Sequence, residues 1–210
     1  MERERPEEYR LSLAKQEAYF SYQGEGHLSG QPMVFVRFAG CSVACHNCDT
    51  DYRMHSTFTV VDLVDRVVFL FPNEVRDRWV WLTGGEPTQQ LGLENLVRAL
   101  KEEGLSVAMA TVGISRVVVP IDWLSVSPHH AKPLVQPYGN ELKLVPGLNG
   151  LDPFAWLEKN PTVDFWLKYL QPLWFKGKVQ QESVDTCLRF IKENPEWCLT
   201  WQLHKLWDFE

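Results

Sequence analysis

The sequence lacks several features that define common classes of protein. No run of about 18 apolar residues is present, so a transmembrane helix is not expected. Its 21 lysines and arginines are outnumbered by 27 aspartates and glutamates, and the formal charge of −6 argues against a nucleic-acid-binding surface. The first residues read M-E-R-E-R-P-E-E, which is charged and unlike a signal peptide. We therefore expect a cytoplasmic protein that binds neither membranes nor nucleic acid.

Repeats and low-complexity segments are also missing, and no linker marks a second domain. Hydrophobic residues make up 45% of the 210 residues, and nine of them are tryptophan, which is typical of a globular protein with a substantial core. We expect one domain over residues 1–210, with a loose polar segment at residues 1–12.

Cysteine is scarce but clustered. Three of the five cysteines, Cys41, Cys45 and Cys48, have C-x3-C-x2-C spacing, and no other cysteine follows within the next hundred residues. Three thiolates can hold three irons of a four-iron cluster and leave the fourth iron open to a small molecule. The alternatives are a zinc site completed by His46 or His55, or three buried structural thiols. Clustered thiols in a polar loop are unusual as core packing, which favours the iron–sulfur interpretation.

Hydrophobic periodicity predicts strands that alternate with helices. The predicted strands are residues 18–22, 33–38, 79–83, 105–110, 121–126, 141–145, 164–170 and 198–202. The predicted helices begin after Thr59, at Leu93 and at residue 151, and a last one carries Val184, Cys187, Leu188 and Ile191. This order indicates an α/β fold with a mostly parallel sheet, and the chain length suits a partial (β/α) TIM-like barrel. Cys187 and Cys198 are interpreted as core residues.

Polar motifs follow several of these strands. Ligands of parallel α/β sheets bind at the carboxyl ends of the strands, which is where Q-G-E-G, the cysteine loop, T-G-G-E-P and S-P are expected to lie. The glycines of G-G-E-P allow backbone carbonyls and Glu86 to face a cationic amine. Arg37 stands mid-strand just before the cysteine loop. It is either a salt-bridged core residue or a clamp for a ligand carboxylate, and its position favours the clamp.

Together, Y-Q-G-E-G, R-F-A-G-C, C-D-T, L-T-G-G-E-P, V-S-P, L-Q-P and Q-L-H-K, which span Tyr22 to Lys205, resemble the 7-carboxy-7-deazaguanine synthase family of radical S-adenosylmethionine (SAM) enzymes. The resemblance implies a radical SAM fold, with a [4Fe-4S] cluster on the three cysteines and Mg2+ at Thr50. It implies substrate contacts from Tyr22, Gln23, Gly24, Glu25, Arg37, Thr83, His204 and Glu210. It implies SAM contacts from Gly84, Gly85, Glu86, Ser127, Pro128, His129, Gln171, Pro172 and Leu173.

The resemblance also implies an activity. A 5′-deoxyadenosyl radical would start the ring contraction of 6-carboxy-5,6,7,8-tetrahydropterin to 7-carboxy-7-deazaguanine, with loss of ammonia. A flavodoxin- or ferredoxin-type reductant and a homodimer are implied as partners. Two residues depart from the family pattern: Ala110 replaces the Glu of E-T-x-G-T, and His129 replaces the Lys of S-P-K. The alternatives are an activase of a glycyl-radical enzyme, which would share the cluster and G-G-E-P, and a non-catalytic zinc-binding adaptor.

Overall fold

The computed structural model describes residues 9–46, 48, 50–130 and 134–209. The strands of the main sheet are β1 Arg10–Tyr22, β2 Pro32–Phe38, β3 Ser56–Thr59, β4 Trp79–Gly84, β5 Ser106–Thr111, β6 Trp123–Val126, β7 Tyr138–Leu144, β8 Asp164–Leu170 and β11 Cys198–Leu199. The strands β9 Trp174–Phe175 and β10 Lys178–Val179 form a small hairpin. The helices are α1 Val60–Leu70, α2 Leu93–Glu102, α3 Pro153–Lys159, α4 Gln181–Glu193 and α5 Leu203–Leu206.

The main sheet confirms the predicted α/β fold with mostly parallel strands. Its order is β11-β8-β7-β6-β5-β4-β2-β1-β3, and every neighbouring pair from β2 to β11 is parallel. β1 is antiparallel to both β2 and β3. No described strand pairs β3 with β11. The sheet is thus open, which suits the predicted partial barrel.

The two faces of the sheet carry different residues because side chains alternate along each strand. One face, which includes Val34, Val36 and Val80, packs with the helices in the larger apolar core. The opposite face holds a smaller cluster that includes Phe35 and Trp81. Arg37 and Thr83 lie on this same face, two residues after Phe35 and Trp81, and they line a cavity. The face that carries these residues is therefore apolar in the middle of the sheet and polar at the carboxyl ends of the strands.

The first strand differs from its prediction. It begins at Arg10 instead of Ala18, so residues 10–12 of the segment expected to be loose lie in a strand, while residues 1–8 lie outside the described residues. The pairing of β1 with β2 shifts between Leu13 and Ala18, and Gln16 has a φ of 62° at this bulge. Bulges redirect side chains, and here the Gln16 side chain reaches the cavity.

The expected alternation of strands and helices is incomplete. No helix lies among the described residues between β5 and β6 or between β6 and β7. Cys187 is buried as predicted, but the prediction for Cys198 is wrong, because Cys198 is exposed on the edge strand β11. The predicted start of α1 is confirmed, since the Thr59 side chain caps the helix by accepting from the Asp62 N–H. Among the described residues, no helix is long and apolar enough to cross a membrane.

Candidate active site

The cavity lies at the carboxyl ends of the parallel strands and has a volume of about 370 Å³. This size is typical of a site for a small molecule. The structure brings fifteen of the predicted site residues to its wall: Tyr22, Gln23, Gly24, Glu25, Arg37, Cys48, Thr50, Thr83, Gly84, Gly85, Ser127, His129, Gln171, Leu173 and His204.

Five of the predicted site residues in the described chain do not line this cavity: Cys41, Cys45, Glu86, Pro128 and Pro172. Pro128 and Pro172 are buried between residues that do line it, because neighbouring residues of an extended chain face opposite sides. Glu210 lies outside the described residues.

The expectation that the Glu86 side chain faces a ligand amine is wrong. Its carboxylate is fully buried behind the cavity wall. One oxygen accepts hydrogen bonds from the Thr88 N–H at 3.2 Å, the Thr88 hydroxyl at 2.6 Å and the Thr111 hydroxyl at 2.7 Å. The other accepts from the Val112 N–H at 2.9 Å. Glu86 therefore joins the turn after β4 to the end of β5.

The backbone of the same turn packs against the start of the cysteine loop. Gly85 N–H donates to the Phe38 carbonyl and Glu86 N–H to the Gly40 carbonyl, both at 2.8 Å. A Cβ at position 85 would overlap the Gly40 carbonyl, so only glycine permits this approach. The G-G-E-P turn thus positions the loop that carries the cysteines.

Glu25 is held from several sides of the cavity. It forms an ion pair with Lys143 of β7, and the Gln202 and Gln171 side chains donate to its other oxygen at 2.7 and 3.4 Å. Burial raises the pKa of Glu25, but the nearby Lys143 and His204 outweigh burial, so the pKa lies below its ordinary value. Glu25 is therefore a carboxylate at neutral pH.

The turn that presents Glu25 is fixed by the last part of the chain. Leu203 N–H donates to the Gly24 carbonyl at 2.9 Å, and Gly26 N–H donates to the Thr200 hydroxyl at 2.9 Å. A Cβ at position 24 would overlap the His204 ring. Gly24 of Q-G-E-G therefore lets α5 approach the end of β1, which encloses Glu25.

Arg37 points into the cavity and forms no ion pair with any described residue. Its guanidinium donates to the Tyr19 hydroxyl at 2.6 Å and to the Gln16 side chain at 3.4 Å. Its Nε is buried and makes no hydrogen bond to the described residues. This arrangement rules out the salt-bridged core residue within the described chain and leaves the guanidinium available to an anionic ligand.

Other buried polar atoms at the cavity also need partners. Gln23 Nε2 and Gln171 Oε1 are buried without a hydrogen-bond partner among the described residues. Buried polar atoms in proteins are nearly always hydrogen bonded, so unpaired atoms at a cavity indicate a polar ligand.

The cysteine loop borders the cavity but does not form a closed metal site. Its three cysteines form no disulfide with any described residue, and of the three only Cys48 reaches the cavity wall, 3.5 Å from the Thr50 carbonyl. The Cys45 sulfur lies 3.4 Å from His129 Nδ1, and Cys41 borders a groove on the outer side of the loop. No group of three or more His, Cys, Asp or Glu side chains in the described chain is arranged to hold a metal ion. Three cysteine side chains on one loop nevertheless fit a cluster by their donor chemistry.

Asn149 connects the cysteine loop to its neighbours. Its amide donates to the His129 carbonyl at 2.8 Å and accepts from the His46 N–H at 3.3 Å. Asn149 has a φ of 50°, a left-handed conformation that asparagine tolerates better than most residues. One side chain thus ties the loop after β7 to the loops after β2 and β6.

Sequence reasoning missed several cavity residues: Gln16, Tyr19, Lys143, Gln202 and Lys205. A signal for Lys143 was present in E-L-K-L, where two charged residues alternate with leucines in a predicted strand. Such alternation places both charges on the same face of the strand. Gln16 gave no comparable signal because its position depends on the bulge in β1.

The chain is similar to several known proteins along almost its whole length, although no family model matches it. It is 34% identical to the 7-carboxy-7-deazaguanine synthase of Burkholderia multivorans, over 93% of this chain and 98% of that protein. The enzyme of the same name from Bacteroides thetaiotaomicron is 32% identical, over 91% of this chain and 96% of that protein. The crystal structure of QueE from Escherichia coli shares the fold, with a TM-score of 0.66 at 21% identity over 93% of this chain and 95% of that one. The chain therefore belongs to the 7-carboxy-7-deazaguanine synthase family.

Proposed function

We propose that this chain catalyses the reaction after which its family is named. The substrate is 6-carboxy-5,6,7,8-tetrahydropterin, the products are 7-carboxy-7-deazaguanine and ammonia, and residues 1–210 act as one radical SAM domain. The observation that carries the proposal is a cavity in which Arg37 and Glu25, a cation and an anion, lie beside a three-cysteine loop.

The charges of the cavity suit this substrate. Among the described residues of its wall, Glu25 is the one carboxylate, whereas Arg37, Lys143 and Lys205 are cations. Such a surplus of positive charge favours an acidic ligand. Arg37 binds the substrate carboxylate, because its planar fork can donate two parallel hydrogen bonds. Glu25 accepts N–H groups from the guanidine-like edge of the pterin ring.

The remaining contacts are those that the family resemblance implies. Tyr22, the Gln23-Gly24 backbone, Thr83, His204 and the terminal Glu210 complete the substrate pocket. Gly84, Gly85, Ser127, Pro128, His129, Gln171, Pro172 and Leu173 contact SAM, the prolines through their backbone. For Glu86 we propose that only the backbone contacts the SAM ammonium group, since its side chain is buried.

Cys41, Cys45 and Cys48 would hold a [4Fe-4S] cluster. The cluster, together with SAM, would supply the radical chemistry that starts the reaction. The chain's own contribution is to fix the pterin at both ends and to surround the reacting carbon with protein. Mg2+ would be bound by the Thr50 hydroxyl together with substrate oxygens, since hard cations prefer oxygen ligands.

Three further properties are part of the proposal. A flavodoxin- or ferredoxin-type protein reduces the cluster, and two copies of the chain form a homodimer. The chain works in the cytoplasm without binding nucleic acid, which its formal charge of −6 supports.

The test is reconstitution under anaerobic conditions, followed by incubation with SAM, dithionite and the pterin. We expect four irons and four sulfides per chain, 5′-deoxyadenosine, and a product with the mass of 7-carboxy-7-deazaguanine. One zinc without sulfide would instead identify a zinc adaptor. SAM cleavage without any change in the pterin would favour the glycyl-radical activase.

A further inference from the structure

Lys143 is a cavity residue to which the family resemblance gave no role. It lies on β7, where Glu141 and Lys143 face the same side of the strand. Glu141 is buried and accepts from the Ser125 hydroxyl at 2.8 Å and from the His27 N–H at 2.7 Å, so it supports the turn after Glu25. Lys143 reaches the cavity and pairs directly with the Glu25 carboxylate.

This ion pair is shielded from water. The exposed fraction is 10% for the Lys143 side chain and 20% for that of Glu25. A buried carboxylate without a cation would tend to bind a proton, because burial disfavours the charged form. The two amides that reach Glu25, from Gln202 and Gln171, supply hydrogen bonds but no charge.

The hydrogen bonds to Glu25 leave room for a ligand. A carboxylate offers about four acceptor positions, and Lys143, Gln202 and Gln171 occupy three of them. The Glu25 N–H is used locally, since it donates to the Gln23 side chain at 3.1 Å. The carboxylate is therefore fixed in orientation and keeps acceptor capacity.

We propose that Lys143 is a positioning residue for substrate recognition, which keeps Glu25 ionised and orients its free acceptor toward the N–H donors of a guanidine-like ring edge. The proposal rests on the proposed function and extends it to a residue that acts through Glu25. A neutral Glu25 would carry its own proton and would accept fewer hydrogen bonds from the ring. Removal of Lys143 should thus act like a partial loss of Glu25.

The direction of the pH effect follows from the groups that face Glu25. Lys143 of β7 and His204 of α5 lower the pKa of Glu25, while Lys205 and Arg37 line the same cavity. In Lys143→Met the largest favourable charge is lost and burial remains, so the pKa of Glu25 should rise. Pterin binding should then be lost at a higher pH than in the wild-type protein as the solution is acidified.

The experiment measures pterin affinity by anaerobic calorimetry without SAM or dithionite, at several pH values between about 5.5 and 8. We expect Lys143→Met to bind roughly 10- to 100-fold more weakly at pH 7, and we expect Lys143→Arg to recover most of the affinity. The matched control is Lys101→Met, which breaks a lysine–carboxylate pair with Asp122 outside the cavity and should bind like wild type. Only the displacement of the pH profile between variants is interpreted.

A double-mutant cycle with Glu25→Gln separates positioning from other roles. If Lys143 acts through Glu25, then Lys143→Met should add nothing to Glu25→Gln. A further loss of more than about threefold in the double variant would overturn the proposal, because Lys143 would then act independently of Glu25. Wild-type affinity and pH profile in Lys143→Met would overturn it as well.

The Glu25 pKa can also be followed directly by carboxyl-carbon NMR in the ligand-free protein. An unchanged pKa in Lys143→Met would refute the proposed coupling whatever the substrate is. Failure of the wild-type protein to bind or convert the pterin, with the NMR shift present, would instead refute the proposed function. The two failures are therefore distinguishable.

Discussion

Glu86 provides the sharpest test of the fold at the candidate site, through the substitution Glu86→Gln. The amide can keep one oxygen facing the two threonines, but its NH2 group would then meet the Val112 N–H, which is itself a donor. A buried donor left without an acceptor costs about 1–3 kcal/mol, and the remaining bonds lose their charge assistance. We therefore expect a loss of about 3 kcal/mol in the free energy of unfolding.

The loss should be visible in thermal and denaturant unfolding of the cluster-free protein. For a chain of this size, about 3 kcal/mol corresponds to a decrease in Tm of roughly 6–12 °C. The control is Glu94→Gln, which makes the same chemical change in an exposed pair with Arg98 and should cost less than about 0.5 kcal/mol. If both variants unfold alike, the buried network around Glu86 does not carry the stability that its geometry indicates.

Three further predictions concern the cluster and the substrate. Cys48→Ala should prevent assembly of a complete cluster, whereas Cys187→Ala should not, because Cys187 is buried away from the cavity. Iron and sulfide analysis of the two variants tests this, and four irons in Cys48→Ala would contradict the ligand assignment. Arg37→Lys should bind SAM normally but bind the pterin roughly tenfold more weakly or worse, since lysine lacks the bidentate fork; equal pterin affinity in calorimetry would return Arg37 to a structural role. Asn149→Gly keeps the left-handed backbone but removes both hydrogen bonds of the side chain, so a chelator should extract iron faster from the reconstituted protein. An unchanged extraction rate would show that these two hydrogen bonds do not hold the cysteine loop in place.

The parts of the structure that the sequence predicted well are those governed by local pattern. The strand at Asp164–Leu170 was predicted at its observed bounds, and the cap at Thr59 was read from a local signal. The motifs that follow β2, β4, β6 and β8 meet at one cavity because these strands are parallel and place their carboxyl ends at one edge of the sheet. Q-G-E-G is different, since it follows β1, which is antiparallel to β2.

The errors arose where contacts between residues that are distant in the sequence determine the position of a side chain. Glu86 was expected to face a ligand, but the hydroxyl of Thr111 and the N–H of Val112 on a neighbouring strand hold it inside. Lys143 and Glu25 are 118 positions apart in the sequence, so no local pattern could pair them. The left-handed Gln16 belongs to a bulge whose position is set by the register with β2.

The contact between Q-G-E-G and the last helix has a consequence for how the protein matures during synthesis. Gly24, Glu25 and Gly26 each make one hydrogen bond with the end of the chain, to Leu203, Gln202 and Thr200 respectively. A chain emerging from the ribosome can pair its early strands before these residues are available, because domains fold as the N-terminal part appears first. The cavity cannot be completed until nearly the whole chain has been translated. A nascent or truncated chain can therefore hold its cysteine loop while its substrate pocket is still unformed.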